Sequence, residues 1–448
     1  MSFGEDVDDL VEGSQDHLIG KATRWPRVRL GEVAVILNGF PWKSERFNKS
    51  TGVPLIRIRD VTTGQTETFY NGPITEGYWI DPGDLLVGMD GDFNVRRWSA
   101  ERGLLNQRVC KIVAHPDQYD TYLLEYLLPG YLRLINQVTS SVTVKHLSSR
   151  TLAELPLPLP PIAEQRRIVA RLDALTARIA RARAELDRVP VLAAHFRRMA
   201  LVACFSSVPN APIELGTLLR AIEAGKNLRC EERIPREGEN GVVKVSAVTW
   251  GRFDATQSKT LPSDYEAPEK SRIRKGDLLI SRANTLELVG AVVLVENQPR
   301  DLFLSDKILR LAADDADKKW ILWFLRSPDG RNQIEALATG NQLSMRNISQ
   351  EALRQIKLPI PDVATRTQRV RMLETAFARA DRLEAEAARA RALLDRLESA
   401  ILAKAFRGEL VPQDDNDEPA SVLLERIRAQ RAVAPKKTRV ARHSRASG

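Results

Sequence analysis

Cysteine is scarce in this chain, whose 448 residues include only Cys110, Cys204 and Cys230. Three thiols so far apart exclude a disulfide framework, and their spacing matches no zinc site. Long apolar runs are also missing: residues 200–205 form one of the longest, whereas a membrane span needs about 20 residues. The acidic first ten residues lack the pattern of a signal peptide. We therefore expect a cytoplasmic protein without a metal site.

Catalytic motifs are missing as well. The sequence contains no Gly-x-x-x-x-Gly-Lys-Ser/Thr loop for nucleotides and no Gly-x-Gly-x-x-Gly turn for a dinucleotide or methyl donor. An amino-methyltransferase would need Asn/Asp-Pro-Pro-aromatic, but the only double proline is Pro160-Pro161. The five histidines are scattered and form no ligand pair. We therefore expect no catalytic residue in this chain.

A long amphipathic pattern occurs twice, 201 positions apart. Its apolar positions alternate steps of four and three, as in a coiled-coil seam. The two seams are Ile168, Leu172, Leu175, Ile179, Ala182, Leu186 and Val189, and Arg369, Leu373, Ala376, Ala380, Leu383, Ala387, Ala390, Leu394, Leu397 and Ile401. The match begins near Thr143 and includes Leu-Pro-x-Pro before each helix. It predicts two helices of equal length, with a kink or restart near Val189 because Pro190 follows.

The regions before the two helices also repeat a common layout. Leu30-Gly31 returns as Leu215-Gly216, and Gly83-Asp-Leu-Leu86 returns as Gly276-Asp-Leu-Leu279. Short β-branched runs separated by turn residues predict strands in both regions. An internal repeat of this size outweighs any local signal. The expected fold class is α+β: two similar α/β domains separated by two long antiparallel α-helices, a coiled-coil spacer, with pseudo-twofold symmetry.

The expected organisation has seven parts. They are a disordered segment 1–24, a first domain 25–156, a helical region 157–211, a second domain 212–357, a second helical region 358–408, a C-terminal segment 409–430 and a basic disordered tail 431–448. The net charge of +9 favours a nucleic-acid partner only weakly, because the tail alone holds six Lys or Arg residues and no acid.

Several motifs in this order resemble the specificity subunit of type I restriction–modification enzymes, over residues 25 to 430. The motifs are Leu157-Pro-Leu-Pro-Pro-Ile-Ala-Glu-Gln-Arg-Arg-Ile-Val169, Ala403-Lys-Ala-Phe-Arg-Gly-Glu-Leu-Val-Pro-Gln413, Glu418-Pro-Ala-Ser-Val-Leu-Leu-Glu-Arg-Ile427, Met89-Asp-Gly-Asp-Phe-Asn94 and Asn106-Gln-Arg-Val-Cys110. The start of the second helix, Asp362 to Gln368, departs from the pattern because it lacks the Glu-Gln pair of positions 164–165.

The resemblance implies a DNA-recognition protein without catalysis of its own. Each domain would be a target recognition domain that reads one half of a bipartite double-stranded target, and the helices would set the distance between the halves. Modification subunits, expected to number two, would use S-adenosylmethionine to methylate adenines. Restriction subunits would use ATP and Mg²⁺ for translocation and cleavage. The chain itself would need no cofactor.

Three loops in each half carry the side chains that contact bases and phosphates in protein–DNA complexes. Loop 1 follows the opening strand, loop 2 follows Gly-Asp-Leu-Leu, and loop 3 precedes the proline-containing helix start. The DNA-binding candidates of the first half are Lys43 and Arg46 in loop 1, Asn94, Arg96 and Arg97 in loop 2, and Ser140, Ser141, Thr143 and Lys145 in loop 3. Those of the second half are Lys226, Asn227 and Arg229 in loop 1, Arg282, Asn284 and Thr285 in loop 2, and Gln342, Ser344, Arg346 and Asn347 in loop 3.

Two alternatives to a DNA-recognition subunit fit parts of the same sequence. Surface loops are polar in most proteins, so polarity alone does not establish DNA contact. A coiled-coil adaptor with two protein-binding ends would also fit the duplicated layout. It would show no salt-sensitive DNA affinity and would need no difference between the loops of its halves. A stand-alone modification enzyme is disfavoured by the missing methyl-donor motif.

Overall fold

The computed structural model describes residues 24–138, 146–206, 208, 211–342 and 345–433. They form two compact units, one made of the residues up to Glu185 with those from Ala390 onward, and the other of Leu186–Arg389. Each long helix is therefore divided between the two units. No helix among the described residues is long and apolar enough to cross a bilayer.

The first α/β domain belongs to the first unit. Its elements are β1 (Arg27–Arg29), α1 (Leu30–Val33), β2 (Ala34–Asn38), β3 (Phe47–Asn48), β4 (Val53–Ile56), α2 (Ile58–Thr63), β5 (Phe69–Tyr70), β6 (Trp79–Ile80), β7 (Leu85–Gly88), β8 (Val95–Arg97), β9 (Gly103–Leu105), β10 (Val109–Ala114), α3 (Thr121–Val138), α4 (Ser149–Ala153) and β11 (Pro156–Pro158). The first long helix, α5 (Ile162–Phe205), follows.

The second α/β domain belongs to the second unit. Its elements are β12 (Ile213–Glu214), β13 (Leu219–Ala224), β14 (Gly241–Val243), α6 (Ser246–Thr249), β15 (Ser258–Thr260), β16 (Leu278–Ser281), β17 (Ala283–Asn284), β18 (Val292–Leu294), β19 (Leu302–Phe303), β20 (Ile308–Ala313), α7 (Asp315–Arg326), α8 (Pro328–Leu337), β21 (Thr339–Gln342), β22 (Met345–Asn347), α9 (Gln350–Arg354) and β23 (Lys357–Leu358). The second long helix, α10 (Val363–Phe406), and α11 (Ala420–Val433) complete the chain.

Three sheets correspond between the two domains, which confirms the internal duplication. An antiparallel sheet of order β2-β10-β7-β8 corresponds to β13-β20-β16-β18. A second sheet contains the parallel pair β4–β9 in the first domain and the parallel pair β14–β19 in the second. The pair β1–β11 matches β12–β23, which joins the start of each domain to its proline-containing segment. The fold class is therefore α+β, as the repeat predicts.

The repeated Gly-Asp-Leu-Leu sequence has a structural reason. Its glycine has a φ of 100° at position 83 and 87° at position 276, a conformation that residues with a Cβ rarely adopt. In the first domain, the Asp84 carboxylate accepts a hydrogen bond from Lys111 Nζ at 2.9 Å. In the second, Asp277 forms an ion pair with Arg310 at 3.4 Å, and burial raises the pKa of Asp277. Each domain thus holds one strand-borne cation against this turn.

The two long helices match each other in length. Each contains 44 residues, and the 201-position offset holds at both ends. In the first unit, Arg183 donates to Asp395 at 2.6 Å and to Glu398 at 2.7 Å. Ile168, near the start of α5, shares a hydrophobic core with Phe406 at the end of α10. The helix segments of the first unit are therefore antiparallel.

The second unit pairs its helix segments in the same way. Arg197 Nη2 donates to Asp381 at 2.6 Å and to Glu384 at 2.5 Å. Closer to the end of α5, the carbonyl oxygen of Cys204 accepts a hydrogen bond from Arg369 at 2.7 Å. Residue numbers therefore rise on one helix as they fall on the other. We call the groups around Arg183 and Arg197 the two arginine clamps.

Proline ends neither of the two helices that contain it, so the restart predicted near Val189 does not occur, whereas the kink stays a prediction. Helix α5 continues through Pro190 without a restart, and α3 continues through Pro129. Both proline residues are exposed. The hydrogen bond that each proline removes therefore lies at the helix surface, and packing of the opposite face offsets its loss.

The second seam also differs from the predicted one in detail. Leu373 and Ala380 are buried, but Leu383 and Leu397 are 47% and 49% exposed. The neighbouring Glu384 and Glu398 take their places and reach the arginine clamps. A straight helix has 3.6 residues per turn and drifts away from a 3.5-residue seam, so the facing position moves on by one residue.

The C-terminal segment folds back onto the first domain within the first unit. Leu423 and Ile427 of α11 are buried in the same core as Trp25. Arg431 forms an ion pair with Glu32 at 3.1 Å. The tail was expected to begin at Arg431, but α11 ends at Val433, so this boundary is corrected by three residues. Residues 1–23 and 434–448, for which disorder was expected, lie outside the described residues.

Candidate nucleic-acid interface

Loop 1 begins at a glycine that touches a neighbouring turn in both domains. A Cβ on Gly39 would overlap the carbonyl oxygen of Asn106, and one on Gly225 would overlap that of Leu304. Only glycine permits so close a backbone approach. The contacted segments, residues 105–109 and 304–308, lead into β10 and β20. We call each of them the central turn of its domain.

Loop 2 contacts the same central turn. The Met89 N–H donates to the Arg108 carbonyl at 2.9 Å, and the Arg282 N–H donates to the Lys307 carbonyl at 2.8 Å. These matched hydrogen bonds place the residue after each Gly-Asp-Leu-Leu strand beside a basic residue of the central turn. Loop 2 therefore leaves the sheet at the same place in both domains.

Loop 3 pairs with loop 2. The Leu147 N–H donates to the Met89 carbonyl at 2.7 Å, and the Ile348 N–H donates to the Arg282 carbonyl at 2.9 Å. Leu147 and Ile348 are separated by the 201-position offset. The three predicted loops thus meet at one place in each domain, which sequence spacing alone could not establish.

The loop 1 candidates are available for a ligand. Lys43 and Arg46 in the first domain, and Lys226, Asn227 and Arg229 in the second, are all exposed. Their side chains have no hydrogen-bond or ion-pair partner in the described chain. Trp42 anchors the first loop 1 by donating its indole N–H to the Leu105 carbonyl at 3.0 Å. Loop 1 of the first domain therefore presents unpaired Lys and Arg side chains, and the Trp42 hydrogen bond holds its backbone in place.

The loop 2 candidates of the first domain are already engaged within the protein. Arg96 donates to the carbonyl oxygens of Val61 and Thr62, at 2.7 and 2.6 Å, and so caps the end of α2. Arg97 donates to Glu125 at 2.9 Å and lies over the ring of Tyr122. These guanidinium groups support loop 2, and DNA contact by them stays a prediction.

Asn94 is exposed, and its amide donates to the Thr62 hydroxyl at 2.9 Å. It lies next to Phe93, which is buried although its backbone has the unusual φ of 50°. The buried ring fixes the position of the polar residues around it. Asn94 therefore stands at the surface of loop 2 on a rigid support.

Loop 3 of the first domain is described only at its end. Ser140, Ser141, Thr143 and Lys145 lie outside the described residues. At the edge of this segment, His146 Nδ1 lies 2.7 Å from Asp90 Oδ1, and Arg108 donates to Asp90 Oδ2 at 2.9 Å. Asp90 therefore joins loops 2 and 3 to the central turn through its two carboxylate oxygens.

The second domain joins the same loops by a small sheet, of order β17-β22-β21. Asn284 lies opposite Arg346, and Ala283 lies opposite Asn347. Asn284 Oδ1 accepts a hydrogen bond from the Thr285 N–H at 2.9 Å. Arg282 and Asn347 are exposed, whereas Asn284, Thr285 and Arg346 are half-buried. Gln342 lies on β21, but its side chain and the whole of Ser344 lie outside the described part of the chain.

Arg331 of α8 braces loop 2 in the second domain. Its guanidinium donates to the carbonyl oxygens of Val289 and Glu287 at 2.6 and 3.1 Å. The next turn of the same helix packs against loop 2, because Ile334 lies where a Cβ on Gly290 would be. Helix α8 thus supports loop 2 and then leads into β21, at the start of loop 3.

Sequence reasoning missed the central turn itself. Gln107 and Arg108 in the first domain and Lys307 in the second are exposed and lie between loops 1 and 2. The sequence contained a signal for it, because a basic residue directly precedes β10 in the first half and β20 in the second. The constellation in each domain therefore combines donors from four chain segments.

The side chains of this constellation are of the types that bind DNA. Lys and Arg bind phosphates, and Arg, Asn and Gln read base edges. Among the described residues, no group of three or more His, Cys, Asp and Glu side chains could hold a metal ion. The clusters differ between the domains in nearly every polar residue, although the backbone hydrogen bonds that build them are the same.

Comparison with known proteins identifies the family. A family model for the type I restriction modification DNA specificity domain matches residues 23–189. The EcoBI specificity subunit of Escherichia coli is 34% identical, over 97% of this chain and 98% of its own length. The EcoKI specificity subunit of Escherichia coli strain K12 is 25% identical, over 92% and 96%. The chain belongs to the family of type I restriction enzyme specificity subunits.

Solved structures show the same fold. A chain from a type I restriction–modification complex studied for its assembly and conformational transition superimposes with a TM-score of 0.65 at 21% identity, over 86% of this chain and 98% of its own. The HsdS subunit from Thermoanaerobacter tengcongensis gives a TM-score of 0.58 at 21% identity, over 86% and 97%.

Proposed function

We propose that the protein reads a bipartite double-stranded DNA sequence, one half with each α/β domain. The observation that carries this proposal is the three-loop constellation, which occurs twice on the same backbone hydrogen bonds but with different polar residues. Two readers with different side chains would recognise two different half-sites. A protein-binding adaptor would not need two domains that share the backbone hydrogen bonds of their loops but differ in the polar side chains that the loops expose.

The matched helices would set the distance between the half-sites. At a rise of 1.5 Å per residue, a helix of 44 residues is about 66 Å long. Two turns of B-DNA are about 70 Å long. Each arginine clamp fixes the register of the two helices in its unit, and a fixed register is what a molecular ruler requires.

The chemistry would come from partner subunits. We expect modification subunits, two per specificity subunit, to methylate adenines with S-adenosylmethionine. Restriction subunits would add translocation and cleavage driven by ATP and Mg²⁺. This chain would be non-catalytic and would bind no cofactor. A cytoplasmic location agrees with its three free cysteines, two of them buried.

The test is methylome sequencing of cells that express this chain with its modification subunit. The expected result is methylated adenine in one motif with two specified halves and an unspecified spacer of fixed length. A control expresses the modification subunit alone and should give no such motif. Random or absent methylation by an active, assembled complex would overturn the proposal and favour the adaptor. An adaptor would also show no salt-dependent DNA affinity.

A further inference from the structure

The small sheet β17-β22-β21 of the second domain presents an arginine, Arg346, for which the described chain supplies no partner. The Nε atom of Arg346 is buried, yet no hydrogen-bond acceptor lies within reach in the described chain. The buried Nε atoms of Arg310 and Arg366 also lack an acceptor, but both of these arginines form ion pairs. Arg346 forms none in the described chain, so its positive charge is left for a ligand.

The strand pairing places Arg346 beside an asparagine, a residue type that can also bind base edges. Arg346 of β22 lies directly opposite Asn284 of β17. Opposite residues of an antiparallel pair project from the same face of a sheet. Met345 and Asn347, the neighbours of Arg346, project from the other face. One face of this narrow ribbon therefore carries an arginine and an asparagine side by side, and the major groove of DNA is wide enough for such a ribbon.

No acid competes for this arginine within the ribbon. The residue that matches Asp90 of the first domain is Ala283, because Met89 and Arg282 make the same backbone hydrogen bonds. Asp90 binds Arg108 in the first domain, whereas Ala283 can bind no cation. In the described chain, the second domain therefore has no carboxylate at this place to hold Lys307 or Arg346.

We propose that Arg346 reads a guanine in the half-site of the second domain. Guanine presents two acceptors in the major groove, O6 and N7, and a guanidinium fork matches both. A phosphate would satisfy the charge of Arg346 but would not require the half-buried, strand-fixed placement opposite Asn284. The inference rests on the proposed function, because it assumes that the second domain binds DNA.

The experiment uses the full-length chain assembled with its modification subunits. Binding is measured to duplexes in which each guanine of the second domain's half-site is replaced in turn by 7-deazaguanine, which lacks N7. For the unmodified protein, one replacement should weaken binding about 5- to 150-fold. In Arg346→Ala the same replacement should have no further effect, and the methylated motif should become degenerate at that base pair. Arg346→Lys, which keeps the charge but loses the fork, should lie between the two.

Met345→Ala is the matched control, because Met345 is the preceding residue of β22 and is 61% exposed on the other face. It should keep the guanine requirement. Retention of the other specified bases of the second domain's half-site by Arg346→Ala shows that the second domain is still folded. Equal weakening on all sequences with a shallower salt dependence would identify a phosphate contact and overturn the proposal. The proposal would also be overturned if none of the 7-deazaguanine replacements weakened binding of the unmodified protein. Absence of any sequence preference in the unmodified complex would instead overturn the proposed function.

Discussion

At the position after Met89 and Arg282, the two domains differ by one carboxylate. Asp90 in the first domain binds Arg108 and His146, while the second domain has Ala283. The carboxylate therefore holds a cation that DNA phosphate could otherwise bind. We infer that Asp90 restrains general DNA affinity in the first domain and keeps its loops in register.

Asp90→Asn should release Arg108. We expect tighter binding to non-cognate DNA, with the dependence of log K on log salt steeper by about 0.9 for one added phosphate contact. Discrimination in the half-site of the first domain should fall, because loops 2 and 3 lose their link. Salt titrations of binding to cognate and random duplexes measure both effects.

Asp92→Asn provides the control for this prediction. Asp92 lies in the same loop, is exposed and has no partner in the described chain, so its substitution removes the same charge without freeing an arginine. If both variants changed the salt dependence equally, the effect would come from net charge and not from Arg108.

The residue types in the polar loops predicted which side chains lie at the surface better than they predicted what those side chains do. Lys43, Arg46 and Arg229 are exposed and unpaired in the described chain, as expected of DNA-binding candidates. Arg96 was indistinguishable from them in the sequence, yet it caps the carbonyl end of α2. Which arginine is used internally depends on a helix end some thirty residues away, and a sequence motif does not contain that information.

Among the elements, the helices were the most predictable and their facing residues the least. The 201-position offset predicted two helices of equal length, because an offset that stays constant along both segments leaves no room for an inserted or deleted residue in either. The prediction of the second seam failed at Leu383 and Leu397, where Glu384 and Glu398 meet arginines instead. A pattern of apolar residues cannot predict an ionic contact between helices, because charged residues are counted as solvent-facing positions.

Each arginine clamp should stabilise the pairing of the helices. The Arg197 side chain is 20% exposed, and Glu384 and Asp381 raise its pKa further above its usual range. Arg197→Ala should lower the free energy of unfolding by about 1 kcal/mol, because Asp381 and Glu384 are 52% and 33% exposed and solvent screens part of the attraction. Denaturant unfolding of the full chain measures the change.

Arg198→Ala is the matched control, because Arg198 is the adjacent residue, is exposed and has no partner in the described chain. Its substitution should change the free energy of unfolding by less than about 0.5 kcal/mol. Equal losses in the two variants would mean that the clamp contributes no more than any surface arginine.

The spacing of the clamps gives a sharper test of the ruler. Arg183 and Arg197 are fourteen residues apart, and so are their acidic partners on α10. Deletion of residues 184–190 shortens α5 by about 10 Å and leaves the two clamps out of register. We expect an altered spacer between the methylated half-sites, or loss of one half.

A matched deletion of residues 385–391 from α10 restores equal spacing of the arginines and their acidic partners. The doubly deleted chain should therefore recover much of the stability that the single deletion loses, while the spacer still differs from that of the original protein. Methylome sequencing reads the spacer directly. An unchanged motif in both variants would show that helix length does not set the distance between half-sites.

Across the whole chain, the duplication predicts two readers that act independently. The domains share a backbone frame, have different polar loops and are joined in sequence only through the helices. Lys43 and Arg229 each lie four residues after the glycine that begins loop 1, and both are exposed without a partner in the described chain. Lys43→Ala should alter binding only through the half-site of the first domain, and Arg229→Ala only through that of the second.

The double variant tests this independence quantitatively. Substitutions at distant sites without shared partners add within about 0.3–0.5 kcal/mol, so the binding loss of Lys43→Ala with Arg229→Ala should equal the sum of the single losses. The measurement uses duplexes altered in one half-site at a time. Loss of a phosphate contact would lower the affinity for every duplex, and loss of a base contact would relax the sequence requirement in its own half-site. In either case the binding losses of the single variants should add. Independent readers cannot transmit a loop change from one half-site to the other. Coupling between the two substitutions well beyond about 0.5 kcal/mol, or a relaxed sequence requirement in both half-sites after one substitution, would therefore mean that the two domains recognise DNA cooperatively.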